Sequence, residues 1–359
     1  MQNSLFDDFE DTDEPAAALQ PEPASPPTPK KRAASRTTQV LPAPPDPALQ
    51  ALAGELPPKL RLGTSSWHFP GWAGMVWDGE YEQSVLSKRG LAAYAQHPLF
   101  RAVSIDRSFY KPLTATQFAA YAAQVPEDFR FTVKAPSLVA DAMVRGEDGR
   151  GLQANPAFLD PTLAAMEFVQ PALDGLGHKL GALVFQLSPL PGPMLARMPE
   201  MLERLGTMLR ALPALGPVAP DGVIAVEVRN PEFLTPAFCD VLRDAGATYC
   251  LGLHPKLPPI EAQLPLLRAL WPGPLVCRWN LHRLHGAYGY EDAKVLYEPF
   301  DKLVDVDPET RATLARVIVG TTGTGQRAYV TISNKAEGSA PQTVQALAEE
   351  IQRLLAGKC

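Results

Sequence analysis

The chain places charged residues at the ends of strongly apolar segments. Lys134 closes the segment of residues 131–134, and Glu227 lies in the segment of residues 223–228, two positions before Arg229. A charge in such surroundings is costly unless it is paired or used in function. If the second segment is a strand, Glu227 and Arg229 share one of its faces. They are then either a structural ion pair or a carboxylate base beside a cation that binds an anion.

Other polar residues follow further apolar segments, and together they form a set that could act on a substrate. We predict that Glu227, Lys134 and Asp106 are catalytic. The residues predicted to bind substrate are Trp67, His68, Tyr110, Gln186, Arg229, Arg278, His285 and Asn334. The lysine and the two arginines of this set favour an anionic small molecule or a nucleic acid as the partner.

The histidines allow a different interpretation. His282 and His285 are three residues apart, a spacing that would bring both to one face of a helix. Together with His68, His254 and a carboxylate such as Asp106, they could ligate a divalent ion. The cationic residues of the same set oppose a metal ion unless an anionic substrate intervenes. We therefore assign no metal ligand and no cofactor.

Aromatic residues crowd the segment of residues 67–81. It contains Trp67, Phe69, Trp72, Trp77 and Tyr81. Because aromatic side chains contribute strongly to core burial, this segment could be a hydrophobic lid packed on the fold. The alternative is a surface on which a sugar or a base stacks.

These residues must be positioned by regular secondary structure, which the sequence predicts from residue 60 onward. Short apolar segments alternate there with longer helical patterns. The predicted strands are residues 60–66, 102–106, 131–134, 182–187, 223–228, 248–253, 275–279 and 328–333. Most are almost continuously apolar, as expected for a parallel sheet covered on both faces. Eight strand–helix units favour a closed TIM-type (β/α)8 barrel with its site at the C-terminal ends of the strands.

Several predicted helices begin at good N-terminal signals, such as Thr114, Asp160-Pro161 and Asp307-Pro308. The helices cover residues 84–97, 114–124, 161–176, 194–212, 235–245, 308–319 and 341–355, with a weaker one at 260–270. No G-x-G-x-x-G follows a strand and no P-loop sequence occurs. The sequence therefore gives no motif that would indicate a dinucleotide-binding fold or a P-loop nucleotide site. The glycine-rich residues 320–325 follow a helix and are interpreted as its end.

The first 57 residues differ in composition from the rest. Residues 21–47 are rich in Pro, Ala, Ser and Thr, a composition that buries too little apolar surface to fold. We predict a disordered tail over residues 1–57 and one barrel domain over residues 58–359. The formal charge is −6, and nine acids and four bases lie in the tail. The barrel is therefore almost neutral and gives no general electrostatic case for nucleic acid.

The cysteines and the hydropathy limit the class of protein. The cysteines are Cys239, Cys250, Cys277 and Cys359, and none belongs to a C-x-x-C pair. This argues against a disulfide framework and against a zinc ribbon. No apolar run reaches the roughly 18 residues of a membrane span, and the acidic N-terminus lacks a signal-peptide core. We expect a cytoplasmic protein without membrane contact.

Several motifs together resemble one known family. Residues 62–72, L-G-T-S-S-W-H-F-P-G-W, resemble the opening G-T-S-G-W-x-Y-x-x-W of the YecE-like family, the domain of unknown function 72. Residues 108–110, 129–136, 179–189, 225–229 and 283–286 resemble its later motifs in the same order. The resemblance implies a TIM barrel similar to the xylose isomerase and endonuclease IV-like barrels, and it implies no settled activity.

The extreme N-terminus contains a second resemblance. Residues 2–6, Q-N-S-L-F, resemble the Q-L-[SD]-L-F peptide with which bacterial replication and repair proteins bind the sliding clamp. Leu5 and Phe6 would fill an apolar pocket and Gln2 would form hydrogen bonds, while the tail acts as a tether. The alternative is a generic acidic and hydrophobic tail, because such short motifs also arise by chance.

Three functions fit these observations. The favoured one is an enzyme acting on a phosphate-bearing or nucleic-acid-related substrate and tethered to the clamp, with Glu227 as acid or base. Lys134, Arg229 and Arg278 would then hold the anion. The second is a small-molecule enzyme of the sugar-isomerase type, and the third is a non-catalytic binding module. The fold does not decide among them, because one barrel hosts many chemistries.

Overall fold

A computed structural model describes residues 39–146 and 151–357 of the chain. Residues 1–38, 147–150 and 358–359 lie outside the described residues. The segment of residues 2–6 is among them, so its role at a sliding clamp stays a prediction.

In this described part, eight parallel strands close into a barrel surrounded by helices. The barrel strands are β1 Leu60–Thr64, β2 Ala102–Ile105, β3 Arg130–Lys134, β6 Leu180–Gln186, β7 Val223–Glu227, β8 Thr248–Leu253, β9 Leu275–Trp279 and β10 Ala328–Ile332. They pair in the order β1-β10-β9-β8-β7-β6-β3-β2. The predicted TIM-type (β/α)8 barrel is confirmed, and each predicted strand is present. A separate antiparallel hairpin, β4 Met143–Arg145 and β5 Gly151–Ala154, follows β3 and is not predicted by the apolar pattern.

Helices cover the outside of the barrel. They are α1 Pro47–Glu55, α2 Gln83–Arg89, α3 Leu91–Tyr94, α4 Ala115–Ala122, α5 Ser137–Ala140, α6 Pro161–Ala164, α7 Gln170–Leu176, α8 Gly192–Leu195, α9 Met198–Ala211, α10 Pro236–Asp244, α11 Ile260–Ala269, α12 Tyr290–Tyr297, α13 Pro308–Gly323 and α14 Ala340–Ala356. Thr114, Asp160 and Asp307 cap α4, α6 and α13 as their sequence context predicts. Among the described residues, no helix is both long and apolar enough to cross a lipid bilayer.

The structured body begins earlier than predicted. Helix α1 starts after Asp46, whose carboxylate accepts a hydrogen bond from the Ala48 amide at 2.8 Å. Leu52 and Ala53 of this helix are buried, and α1 packs against α14. The predicted disordered tail is therefore corrected for its last part, because residues 47–55 are helical. The surrounding sequence is rich in proline and alanine and is therefore assigned to the tail by its composition. The helix is capped, and its apolar side chains are covered by the C-terminal helix.

The barrel wall separates a large outer core from a small inner one. The outer core lies between the strands and the helices and includes the fully buried Trp72 and Trp77. The inner core consists of Ala182, Val184, Ala225, Cys250, Val276 and Tyr329. Since side chains alternate along a strand, the residues two positions after Val184, Ala225 and Val276 also point into the barrel. Those residues are Gln186, Glu227 and Arg278, so the inner core is apolar below and polar at its C-terminal end.

The N-terminal end of the barrel is occupied by a cluster around Asp221. Its carboxylate accepts a hydrogen bond from Arg130 at 2.9 Å and also pairs with Arg327. The Tyr329 hydroxyl donates to the Asp221 carbonyl oxygen at 2.7 Å. Burial would raise the pKa of Asp221, but hydrogen bonding and charge from the two arginines lower it. This ion-pair cluster closes the end of the barrel opposite to the predicted site.

Gly63 allows the barrel to close between its first two strands. A Cβ atom at this position would lie 1.8 Å from the carbonyl oxygen of Ala102 on β2. Any larger residue would therefore force the strands apart at the place where Gly63 pairs with Ala102. The glycine of the G-T-S-S-W motif is thus explained by strand packing.

Candidate functional site

The C-terminal ends of the barrel strands bring together a core of the predicted site residues. Glu227, Lys134 and Gln186 are the last residues of β7, β3 and β6, and Arg278 is the last but one of β9. Glu227 and Gln186 are direct register partners on adjacent strands. Asp106 follows β2 immediately. These five residues form one group, which we call the mouth cluster together with Arg229.

Glu227 is fully buried, and both of its carboxylate oxygens have partners. Oε1 lies 2.6 Å from Arg229 and accepts a hydrogen bond from Asn280 Nδ2 at 3.1 Å. Oε2 accepts a hydrogen bond from Arg278 Nη1 at 2.7 Å. Burial would raise the pKa of Glu227, but the charges of Arg229 and Arg278 lower it overall. This geometry favours the structural ion pair over the predicted acid or base, since the carboxylate is fully buried and each oxygen lies on an arginine.

Arg278 links three strand ends across the mouth. Its Nη1 also donates to Gln186 Oε1 at 2.9 Å, and its Nη2 donates to Asp106 Oδ2 at 2.6 Å. The other oxygen of Asp106 accepts a hydrogen bond from Ser104 Oγ at 2.6 Å. Burial would lower the pKa of Arg278, but Asp106 and Glu227 raise it. Arg278 is therefore a charged crosslink that fixes the positions of both carboxylates.

Arg229 is buried beside the same glutamate, and its guanidinium group has further partners. Its Nη2 donates to Gln186 Oε1 at 3.0 Å, and the Tyr290 side chain forms a further hydrogen bond with it. Its Nε is buried and has no hydrogen-bond partner among the described residues. Arg229 thus retains a donor that a ligand or a water molecule could use.

Lys134 is the charged member of the mouth cluster that lacks an ion pair among the described residues. Its side chain is half-buried, and Nζ lies 3.6 Å from the centroid of the Phe109 ring. Burial, together with the charges of Arg278 and Arg229, lowers the pKa of Lys134 to about 7. Asp106 and Glu227 oppose this shift. Near neutral pH, Lys134 therefore exists in both the ammonium and the amine form.

Ser108 holds Lys134 and Phe109 in register. The buried Ser108 Oγ lies 2.6 Å from the carbonyl oxygen of Lys134 and 2.9 Å from that of Ile105. It therefore ties the end of β3 to the 3-10 turn Arg107–Phe109 after β2. The S-F-Y motif supplies this tie, the ring under the ammonium group, and Tyr110, whose side chain is 58% exposed.

The aromatic segment after β1 packs mainly against the body. Trp72 and Trp77 are fully buried, with ring centroids 6.4 Å apart. Trp67 is buried against Tyr121 at a centroid distance of 5.5 Å, and its Nε1 has no partner among the described residues. His68 lies 3.2 Å from Gln83 through Nδ1, and burial lowers its pKa. This arrangement favours the lid over the stacking surface for the two deepest tryptophans.

Two predicted substrate-binding residues are engaged in other contacts. His285 Nε2 lies 2.7 Å from the Tyr297 hydroxyl, which donates to Asp305 at 2.7 Å. Asn334 is buried, and its Oδ1 accepts hydrogen bonds from Trp72 Nε1 at 3.2 Å and from the Ala340 amide at 2.8 Å. These contacts anchor α12 and α14, so neither residue enters the function proposed below. In the described part of the chain, no group of three histidine, cysteine or carboxylate residues could hold a metal ion.

The predicted site residues omit several side chains that contact the mouth cluster. Asn280 and Ser104 each bind a carboxylate of the cluster, and Phe109 and Tyr290 contact its cations. Ser104 and Asn280 could have been found, because each is two residues from a predicted site residue on the same strand face. Tyr290 begins α12, which has no apolar periodicity strong enough to predict it.

Residues 61–357 match the model of a family described as protein of unknown function DUF72. The chain belongs to this family. The resemblance to this family is therefore confirmed. The DUF72 match begins within β1 and ends after α14, so it covers the whole barrel.

Similar solved structures include two DUF72 proteins. One is from Enterococcus faecalis V583, with 18% identity, a TM-score of 0.49, and coverage of 81% of this chain and 95% of that chain. The other is from Thermotoga maritima MSB8, with 19% identity, a TM-score of 0.49, and coverage of 83% and 99%. The comparison with curated proteins gave no match.

Removal of Arg278 should unfold the mouth cluster. Arg278→Ala leaves Glu227 and Asp106 without a shared cation, so we expect a loss of about 3–5 kcal/mol in the free energy of unfolding. Urea unfolding followed by circular dichroism measures it. Arg243→Ala is the control, because Arg243 forms an exposed pair with Asp240 and should lose less than about 1 kcal/mol. Equal losses in the two variants would contradict a structural role for Arg278.

Proposed function

We propose that this DUF72 protein is an enzyme that binds a phosphate-bearing substrate at the barrel mouth and acts on it with Lys134. The observation that supports this most is the half-buried Lys134 Nζ, which rests on Phe109 without a carboxylate partner. The other cations of the mouth cluster are already held by Glu227 and Asp106. A ligand anion would provide the missing partner.

The charges of the mouth cluster support an anionic ligand. Lys134, Arg229 and Arg278 face the two carboxylates of Glu227 and Asp106, which leaves one excess positive charge when Lys134 is protonated. Because the arginines lower the pKa of Lys134, an anion between these groups would relieve their mutual repulsion. The unpartnered Nε of Arg229 adds a donor for a phosphate oxygen.

Residues around the mouth favour a nucleotide or sugar phosphate among such substrates. Tyr110 is largely exposed beside Phe109, and Lys256 Nζ lies 4.4 Å from the ring centroid of Tyr288, which is 86% exposed. Burial and the charge of Arg229 lower the pKa of Lys256, so this lysine also belongs to the cationic surroundings of the mouth. Exposed aromatic rings beside cations suit a base or a sugar ring next to a phosphate.

The other two functions have weaker support. The sugar-isomerase alternative needs carboxylates that can ligate a metal, but those of Glu227 and Asp106 are bound to arginines. A non-catalytic binding module would use the same cationic mouth without turnover. The lowered pKa of Lys134 favours an enzyme, because simple anion binding is best served by a lysine that stays fully charged.

The N-terminal tail suggests where in the cell the proposed enzyme would act. The clamp-like segment of residues 2–6 would hold the barrel near replicating DNA, at the end of a tether. A cytoplasmic location, expected from the sequence, is a condition for this contact. The two parts are independent, since anion binding at the mouth does not require the clamp.

Anion binding should depend on pH through Lys134. Binding of inorganic sulfate, measured by calorimetry at low ionic strength, should be constant below pH 7 and weaken above it. The amine must take up a proton to meet the anion, so the affinity should fall by up to about tenfold per pH unit. Lys134→Met should weaken binding and remove the pH dependence. Lys88→Met, which changes an exposed lysine on α2, should leave both unchanged. Equal affinity of Lys134→Met and the unchanged protein would refute the proposed anion site.

Clamp binding should depend on the anchor residues of the tail. Full-length protein mixed with a bacterial sliding clamp should bind, and Phe6→Ala should weaken binding at least about tenfold, because an aromatic anchor often contributes 2 kcal/mol or more. Phe9→Ala, outside the motif, is the matched control. Unchanged binding of Phe6→Ala would remove the clamp from this proposal.

A further inference from the structure

Lys134 differs from the other cations of the mouth in its chemistry. Arginine stays protonated in proteins and cannot act as a nucleophile, whereas a lysine that loses its proton exposes a nitrogen lone pair. Lys134 Nζ has no hydrogen-bond acceptor among the described residues, and the Phe109 ring supports one side of it. The residue as a whole is half-buried, so it is partly accessible to solvent.

Burial keeps a large share of Lys134 in the amine form, and two neighbouring cations act in the same direction. Arg278 and Arg229 are fixed within the same cluster by Glu227, and both lower the pKa of the lysine. With a pKa of about 7, about half of the Lys134 side chains are neutral at pH 7. An exposed lysine at this pH is almost entirely protonated and therefore unreactive. A desolvated lysine beside other cations is a known arrangement for nucleophilic amine catalysis.

We propose that Lys134 forms a Schiff base with the aldehyde or ketone carbonyl of a phosphate-bearing substrate. This inference rests on the proposed function, because the substrate phosphate is held by the cations of the mouth cluster. It adds the chemical class of the substrate, a phosphorylated carbonyl compound. Such a compound could be a free sugar phosphate or the aldehyde of an abasic site in a nucleic acid, which share this chemistry.

The step is balanced without an oxidant or a metal. The Nζ lone pair attacks the carbonyl carbon, and the C=O π electrons move to oxygen, which takes up a proton that nitrogen gives up. The resulting carbinolamine accepts one further proton from solvent on its hydroxyl group and releases water. The product is a protonated imine that joins Nζ to the former carbonyl carbon. Hydrolysis reverses each bond change and regenerates the amine.

The imine would make the adjacent bonds of the substrate reactive. Its positive charge draws the electron pair of a neighbouring C–H or C–C bond, so the reaction class is proton abstraction or carbon–carbon cleavage next to a carbonyl. Asp106 is the candidate to accept a proton, because its charge acts on Lys134 and its side chain is 29% exposed. Glu227 is less suited to this role, since its side chain is fully buried.

Reductive trapping tests this proposal on the full-length protein. Glyceraldehyde 3-phosphate and an oligonucleotide with an abasic site are the two probes, with unphosphorylated glyceraldehyde as control and sodium cyanoborohydride as reductant. Intact mass and peptide mapping should find a stable adduct on Lys134, formed at least about tenfold faster than on the exposed Lys88 or Lys111. Excess sulfate should slow formation of the Lys134 adduct, because it occupies the anion site. The probe that reacts faster identifies a free sugar phosphate or a nucleic acid as the source.

Lys134→Arg separates the two proposals, because it keeps the positive charge and removes the nucleophile. It should bind sulfate but form no adduct above the level of the exposed lysines. Absence of a preferred Lys134 adduct in a protein that still binds sulfate would overturn the Schiff base and leave the anion site standing. If the unchanged protein does not bind sulfate, the proposed function itself is overturned. If Lys134→Arg does not fold, the mapped position of the adduct and its protection by sulfate in the unchanged protein decide the question.

Discussion

The ion pairs of Glu227 with Arg229 and Arg278 are the constraint on which the rest of the mouth depends. Both carboxylate oxygens are engaged at 2.6 and 2.7 Å in a fully buried site. Buried pairs of this kind add little net stability compared with apolar packing, but removal of one partner is strongly destabilising. Their value here is positional, because they fix two permanent charges beside Lys134. Burial of the lysine among these groups lowers its pKa to about 7.

The barrel supplies the space for this arrangement. Small interior residues such as Ala182 and Ala225 line the barrel below the mouth, so long polar side chains from different strands can meet above them. Gly252 on β8 contributes in the same way, since a Cβ there would lie 3.4 Å from Glu227 Oε1. Ser108 then ties β3 to the turn that carries Phe109. The site is therefore built on strand ends and short turns, which hold catalytic groups more rigidly than long loops.

The strands and the mouth could be predicted from the sequence because both follow from local patterns. Buried parallel strands are continuous apolar runs, and a charge at the end of such a run, like Lys134, marks the mouth. The sequence could not decide between the two roles predicted for Glu227, because the decision depends on Arg278, which lies 51 residues away in the chain. The same holds for Tyr290, whose contact with Arg229 arises from a weakly patterned helix, and for α1, which is stabilised by α14. These features are decided by which distant segments contact each other, and local sequence patterns do not reveal such contacts.

The proposed chemistry of the mouth depends most directly on the titration of Lys134. Nuclear magnetic resonance of protein labelled with 13C and 15N in its lysine side chains can follow the Cε and Nζ shifts from pH 5 to pH 11, with Lys134→Arg for assignment. The structure predicts a midpoint at about 7 for Lys134, whereas a lysine surrounded by water titrates near about 10.4. A midpoint of about 10 or higher for Lys134 would contradict the account, because the amine would then be protonated under all ordinary conditions.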